Sequence, residues 1–265
     1  HGTIALPTVV RQSAGRGAAQ EALLGAGMNR TARPFLPILM AAGAMACPTP
    51  VVAADSPREM LVAAAFRDTD KAAALARIDR ARAGASALLS RDANDQDAAM
   101  VQATALGYRA KLTGNRGEAV AARRQFEGLV ARFPRNPEAS LALGAWHVGV
   151  ISSFGRIVGR AAVGAQKQVG FQSLDRAVQL GGDRAMFLGL AGLLRLELDA
   201  DDGRAAQLVE AAARGTTPTA LDRLFQRAAA AVLVPLRRGD QVAVIRQGIG
   251  FHLRQRQQRA CRQGH

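Results

Sequence analysis

The chain has 265 residues, of which 49% are hydrophobic and only 4% aromatic, and its formal charge is +14. Nine of the 35 basic residues and one of the 21 acidic residues flank residues 55–240, which leaves 26 basic and 20 acidic side chains between these limits. Such a mixed surface lacks the clustered basic stripe of a nucleic-acid-binding protein. We therefore expect no nucleic-acid partner.

Residues 28–54 have the three parts of a secretory signal peptide. A basic start, Met28–Arg33, precedes an apolar run, Phe35–Cys47, that is shorter than the roughly 20 residues of a membrane-spanning helix. The small residues Val52-Ala53-Ala54 follow, where a signal peptidase would cut. We expect residues 1–27 to be an upstream or non-native extension and the mature protein to be exported to the periplasm of a Gram-negative bacterium.

The alternative for this segment is a membrane-anchored lipoprotein. Cys47 follows Ala44-Met45-Ala46, which resembles a lipidation site without the usual Leu three positions before the Cys. In that case a lipid anchor at Cys47 would be the contact with the membrane. At the other end of the chain, residues 241–265 are rich in Arg and Gln and contain no acidic residue, so we expect a basic tail.

Residues 55–240 show repeated signals for the start of helices. Ser56-Pro57-Arg58-Glu59 is a capping box with Pro at the first helical position. Asn94 to Asp97, Asn136-Pro137 and Thr217-Pro218 mark further starts, and Gly114 marks a stop. Apolar residues recur at three- and four-residue spacing over residues 118–133, 168–180, 184–198 and 204–214. The sequence therefore predicts an all-α fold in which helices alternate with short turns.

Self-similarity adds a repeat to this pattern. Leu106-Gly107 recurs 37 positions later as Leu143-Gly144, and residues 174–181 align with residues 208–215 at a spacing of 34. Repeats of about 34 residues are typical of stacked pairs of antiparallel helices. One pair cannot bury its own apolar face, so stacking predicts an α-solenoid with a concave inner surface.

The stretch over residues 105–144 resembles the tetratricopeptide repeat. The residues that carry the resemblance are Leu106, Gly107, Gly114, Ala119, Pro134 and Pro137. More weakly, the Trp-centred segment that starts at Gly144 is similar to the tetratricopeptide subgroup that includes bacterial TRAP-transporter T-components. The resemblance implies a solenoid that acts by binding rather than by catalysis.

An insertion of about a dozen residues interrupts this repeat, with glycines at 155, 159, 164 and 170 and basic residues Arg156, Arg160 and Lys167. One interpretation is a mobile basic loop over the concave face. The other is a helix hairpin whose glycines allow close contact. The sequence leaves both open.

Trp146 and His147 stand out because Trp occurs once and the other three His lie near the chain ends. Residues 139–155 carry no charged side chain, which favours a buried helix with Trp146 in the core and His147 bonded to the backbone. A single His provides no metal site. The acidic stretches from Asp92 and from Asp199 do not match a calcium loop, and we expect neither a metal nor a cofactor.

The chain contains no nucleophile elbow, phosphate loop or zinc-protease motif, so we expect a protein that is not an enzyme. Our first hypothesis is a scaffold or adaptor that binds a protein or peptide of the cell envelope on its concave surface. Its expected lining is Arg109, Lys111, Trp146 and the helix faces near Leu190, and His147 is a further candidate contact. The alternative is a small-ligand-binding accessory protein of an envelope transporter. There Arg156, Arg160 and Lys167 would neutralise an organic acid beside Trp146.

Overall fold

The computed structural model describes residues 55–240 and Ala243. The expected extension, signal peptide and Cys47 lie outside these residues, as does nearly all of the basic tail. The described part is all-α, as predicted, with an isolated bridge between Arg184 and Thr216 as its one β-type pairing. Its helices are α1 Pro57–Phe66, α2 Lys71–Leu89, α3 Gln96–Thr113, α4 Arg116–Arg132, α5 Pro137–Phe154, α6 Arg156–Val163, α7 Lys167–Gly181, α8 Ala185–Leu198, α9 Gly203–Arg214 and α10 Ala220–Arg237.

Most helix starts fall where capping residues predict them. Ser56 forms the expected capping box with Glu59, and Asn136 accepts hydrogen bonds at the start of α5. Two starts are displaced by one or two residues: the N-cap of α3 is Asp95, and the N-cap of α10 is Thr219, which forms a capping box with Asp222. In both cases the side chain that reaches the free backbone N–H groups determines the boundary.

The sequence did not predict the break between α1 and α2. Asp70 accepts a hydrogen bond from the N–H of Ala73 at 2.8 Å and so begins a new helix four residues after Phe66. On α2, Ala74, Ile78 and Ala81 are at most 2% exposed and follow three- and four-residue spacing. Small side chains on this face let α2 pack closely between α1 and α3.

The helices pack mainly on their neighbours along the chain. α1 contacts α2, α2 contacts α3, α3 contacts α4, α5 contacts α7, and α8, α9 and α10 contact one another. Contacts of α5 with α8 and of α3 with α5 join successive groups. This sequential order is what a stack of helix pairs would produce. The apolar core accordingly consists of three clusters arranged along the chain.

The insertion after α5 is helical. α6 occupies most of it, and α5 packs closely on α7 beyond it. A Cβ atom at Gly170 would lie 3.1 Å from Cβ of His147, and one at Gly144 would lie 2.7 Å from Cδ2 of Leu174. The glycines therefore allow close contact between the two helices, in agreement with the hairpin interpretation and not with a loop.

Candidate functional site

A cleft of about 620 Å³ lies among α1, α3, α4, α5, α6, α8 and α10. Ligand pockets in proteins usually have volumes of about 300–1,000 Å³ and mostly apolar walls. The wall residues here are mainly aliphatic and aromatic, and they include Leu61, Phe66, Tyr108, Leu141, Ala145, Trp146, Val150, Leu190, Leu194 and Phe225. The cleft has the size and lining of a site for an apolar ligand.

Helices from the two ends of the described chain meet at this cleft. Phe66, the last residue of α1, packs edge to face against Phe225 of α10, with the ring centroids 6.3 Å apart. Phe225 is 3% exposed and belongs to the core that α8, α9 and α10 share. The aromatic contact therefore joins α1 to α10, the first and the last of the helices given above, at the wall of the cleft.

Arg58 holds the other end of α1. Its guanidinium donates a hydrogen bond to Glu138 of α5 at 2.8 Å and pairs with Asp97 of α3. Glu138 is the first acidic residue of α5, so its carboxylate also lies at a helix N-terminus, where negative charge is favourable. These ion pairs fix α1 across α3 and α5.

Most polar groups around the cleft already have partners within the protein. Asn115 accepts from the N–H of Glu118 at 3.0 Å, and Nε of Arg116 donates to the carbonyl of Ala162 at 2.5 Å. On the opposite wall, Oγ of Ser152 donates to Glu197 at 2.5 Å. The charged groups at the cleft thus serve mainly to hold helices together.

Trp146 is both a core residue and a wall residue. Its side chain is 9% exposed and packs in the cluster formed by α3, α4 and α5. Arg123 lies over the indole ring at 6.0 Å, and the His147 ring meets it edge to face at 5.0 Å. Trp146 is therefore buried in the core, as its uncharged neighbours in the sequence favour, and it also forms part of the cleft wall, as the binding hypotheses expect.

His147 points away from the cleft and into the α5–α7 contact. It is 1% exposed, and its Nδ1 accepts a hydrogen bond from the backbone N–H of Gln166 at 3.2 Å. Burial lowers the pKa of His147 to about 4, with a smaller contribution from the positive charge of Arg123. Its Nε2 has no hydrogen-bond partner among the described residues. The neutral imidazole is a packing group with one backbone bond, as the sequence favoured.

Arg109 and Lys111 were both expected to line the concave surface, but only Lys111 lines the cleft. Arg109 donates to Glu118 of α4 at 2.7 Å and to Asp79 of α2 at 3.0 Å, so it cross-links three helices and does not line the cleft. Lys111 does line the cleft, at the end of α3. Leu190 on α8 lines it as well.

The basic residues of the insertion do not converge on the cleft. Arg160 is exposed on α6 and Lys167 lies over the ring of Phe171 at 5.0 Å, and neither lines the cleft. The side chain of Arg156 lies outside the described residues. Arg160 and Lys167 are therefore not placed to surround an organic acid in the cleft.

Sequence reasoning missed the wall residues on α1 and α10. Phe66 and Phe225 are far apart in the chain, and no local pattern signals that they meet. Gly149 was also missed: it lines the cleft, and a Cβ atom built on it would have no neighbour within 4 Å. Only the packing of α1 across the array brings these residues to one site.

Among residues 55–240, no group of three or more His, Cys, Asp or Glu side chains is placed to hold a metal ion. In the same part of the chain, no helix is both long and apolar enough to cross a membrane. The chain matches no protein-family model, no curated protein and no solved structure. The tetratricopeptide resemblance accordingly stays a prediction from sequence.

Proposed function

We propose that this is a non-enzymatic binding protein that holds a compact apolar ligand in the cleft between α1, α3, α4, α5, α6, α8 and α10. The observation that carries the proposal is the mostly apolar lining of a 620 Å³ space that helices from both ends of the described chain surround. Transfer of an apolar molecule from water into such a space contributes about 25 cal/mol per Å² of apolar surface buried. The lining thus supplies affinity without a charged anchor.

The number of helices around the cleft favours a compact molecule over a long peptide. Phe66 and Phe225 contact each other and both line the cleft, and Arg58 joins α1 to Glu138 of α5. A peptide chain would need an open groove along which to lie. A compact ligand needs only an opening wide enough to enter, and it buries more of its apolar surface when walls contact it on several sides.

The chemistry of the ligand follows from the wall residues. Polar residues are a minority of the wall, and most of its charged groups have partners within the protein: Arg58 pairs with Glu138, Arg116 donates to a backbone carbonyl and Glu197 accepts from Ser152. Arg160 and Lys167 lie elsewhere. We therefore propose an uncharged or weakly polar ligand in place of the organic acid expected from the basic residues of the insertion.

The cellular setting is part of the same proposal. The signal-peptide pattern of residues 28–54 supports export to the periplasm, with a lipid anchor at Cys47 as the alternative. The Trp-centred segment around Trp146 resembles accessory components of envelope transporters. We propose that the protein collects an apolar molecule in the envelope for such a transporter.

A probe-binding titration tests the site. The uncharged fluorophore N-phenyl-1-naphthylamine should bind with enhanced fluorescence, and Gly149→Leu should weaken binding about tenfold, because the new side chain occupies part of the cleft and displaces apolar contact area. Gly128→Leu is the matched control: Gly128 is an exposed glycine on α4 that does not line the cleft, and its Cβ position is also empty within 4 Å. Equal binding by the two variants would refute the site.

The second candidate is a scaffold that binds an apolar segment of a protein partner in the same cleft. The exposure of part of Leu190 on the α8 wall favours it, because a side chain from a partner can reach this position. A photoreactive benzoylphenylalanine at position 190 should then give one crosslinked protein in the envelope. That product should disappear in Gly149→Leu. A bound small molecule with no crosslinked protein would favour the first candidate.

A further inference from the structure

The end of α5 and the start of α6 display an apolar patch. Six large apolar side chains are exposed among the described residues, and three of them lie within five positions of one another: Phe154 is 62% exposed, Ile157 87% and Val158 55%. Single exposed apolar residues are ordinary, but a cluster indicates a surface that contacts an apolar partner. We call these three residues the α6 patch.

The patch lies in a segment without negative charge. No acidic residue occurs between Glu138 and Asp175, whereas this segment contains Arg156, Arg160 and Lys167. Arg160 is exposed on α6 beside the patch. Among the acidic groups near this segment, Glu197 accepts a hydrogen bond from Ser152 at 2.5 Å, and Glu127 pairs with Arg123 at 3.6 Å. The segment that carries the α6 patch therefore has a positive net charge, and its neighbouring carboxylates are already paired.

α6 is held so that the patch cannot turn inward. Gly159 faces α5, where a Cβ atom would lie 3.1 Å from Val150. At the C-terminal end of α6, Arg116 donates to the carbonyl of Ala162 and Arg123 donates to the carbonyl of Gly164 at 3.2 Å. These guanidinium groups satisfy carbonyls that a helix end leaves unpaired. One side of α6 is thus fixed, while Ile157 remains largely in solvent and Phe154 and Val158 are partly exposed at the wall of the cleft.

We propose that the α6 patch docks on an anionic lipid surface. Phe154, Ile157 and Val158 would enter the boundary between headgroups and acyl chains, and Arg160 would contact lipid phosphates, as in helices that lie at a membrane interface. The absence of acidic residues along the segment favours a negatively charged surface over a neutral one. Phe154 and Val158 also line the cleft, whereas Ile157 and Arg160 do not. The docking goes beyond the proposed function, and its test rests on Ile157 and Arg160, so its failure can be told from a failure of the ligand site.

The test is co-sedimentation of the full chain with vesicles. The wild type should bind vesicles of equal parts phosphatidylglycerol and phosphatidylcholine more tightly than vesicles of phosphatidylcholine alone, and added salt should weaken binding. Ile157→Asp and Arg160→Glu should each weaken binding to the anionic vesicles about tenfold or more. Val234→Asp is the matched control, since Val234 is 54% exposed on α10. It should bind like the wild type, and Phe35–Cys47 is unchanged in every variant.

Hydrogen exchange gives an independent readout at the proposed site. The amides of residues 156–163 should exchange more slowly when anionic vesicles are present. If Ile157→Asp binds as tightly as Val234→Asp, or if these amides are unaffected by vesicles, docking through α6 is wrong. If light scattering shows that the wild type self-associates and Ile157→Asp does not, while neither binds vesicles, the occupant of the patch is a second copy and the lipid proposal fails.

Discussion

The ring of Phe66 on α1 stands at 85° to the ring of Phe225 on α10, with 6.3 Å between the centroids. An edge-to-face pair of this kind is worth about 0.5–1.5 kcal/mol beyond the area that it buries. Because both rings line the cleft, their contact links the stability of the helix array to the shape of the proposed binding site.

Phe66→Ala should reduce probe binding severalfold while lowering the free energy of unfolding by only about 1 kcal/mol. Phe66 is 37% exposed, so its removal leaves little empty volume in the core. Leu88→Ala is the control: Leu88 is also 37% exposed, but it lies on α2 away from the cleft. Fluorescence titration and urea denaturation measure the two effects. A loss of affinity in both variants would show that the effect is not specific to the cleft.

Two glycines of α5 should respond to the same substitution with opposite signs. Gly149→Ala should stabilise the protein by about 0.5–1 kcal/mol, because Ala favours a helix and the new methyl group meets nothing within 4 Å. Gly144→Ala should destabilise it by about 1–3 kcal/mol, because its Cβ would lie 2.7 Å from Leu174 and would push α7 away. Thermal unfolding of the two variants checks the prediction. Stabilisation by Gly144→Ala would contradict the close α5–α7 contact.

His147 should make stability depend on pH. In the unfolded chain it binds a proton near its ordinary pKa of 6.5, whereas burial, with a smaller effect of Arg123, lowers its pKa in the folded protein to about 4. The unfolded state therefore holds more protons between these values, and stability falls as the pH is lowered through this range. The loss should be about 3 kcal/mol by pH 4.

His147→Asn is the informative variant for this prediction, since an amide oxygen can still accept from the N–H of Gln166 without titrating. Urea denaturation between pH 4 and pH 7 should show a flatter curve for this variant than for the wild type. Parallel curves would mean that other groups cause the pH dependence.

Asp222 is a buried carboxylate outside the cleft wall that accepts several hydrogen bonds. It is fully buried and accepts from Arg184 at 2.9 Å, from the N–H of Met186 at 3.1 Å and from Thr219. Burial alone would raise the pKa of Asp222, but these hydrogen bonds outweigh it and hold the pKa below its usual value.

Asp222→Asn should therefore lower the free energy of unfolding by about 2–4 kcal/mol, since Arg184 loses its ionic partner and the capping box of α10 is broken. Chemical denaturation measures the loss. Asp240→Asn is a control, because Asp240 is exposed after α10. A loss below about 1 kcal/mol for Asp222→Asn would contradict the role of the carboxylate as a shared anchor.

Local chemistry made much of the fold predictable. The starts at Ser56 and Asn136 follow from side chains that accept from nearby backbone N–H groups, and such interactions can be read within four residues. The break before Asp70 was missed because the alanine-rich sequence of α1 and α2 is equally helical on both sides of it. The local signal for the break is the cap at Asp70, which accepts from the N–H of Ala73, and this cap was overlooked within the helical composition around it.

The site was less predictable, because it depends on contacts between distant residues. Trp146 was recognised by its rarity, yet its wall partners on α1 and α10 carry no local signal. For Arg109 the sequence suggested a ligand contact that the packing does not favour. Its guanidinium is paired with Asp79 on α2 and Glu118 on α4. Charge pairing of this kind can be assigned only when the packing of the helices is known.

The mass of the protein under native conditions tests the central claim most directly. The chain would be expressed from Met28 in a Gram-negative host and purified without detergent. Its mass would be measured by native mass spectrometry and again after denaturation. We predict an additional mass of one small apolar molecule that is released on denaturation, present in the wild type and in Gly128→Leu and lost in Gly149→Leu. Equal occupancy in the two variants, or no bound molecule in any of the three and no probe binding, would contradict a ligand site in the cleft.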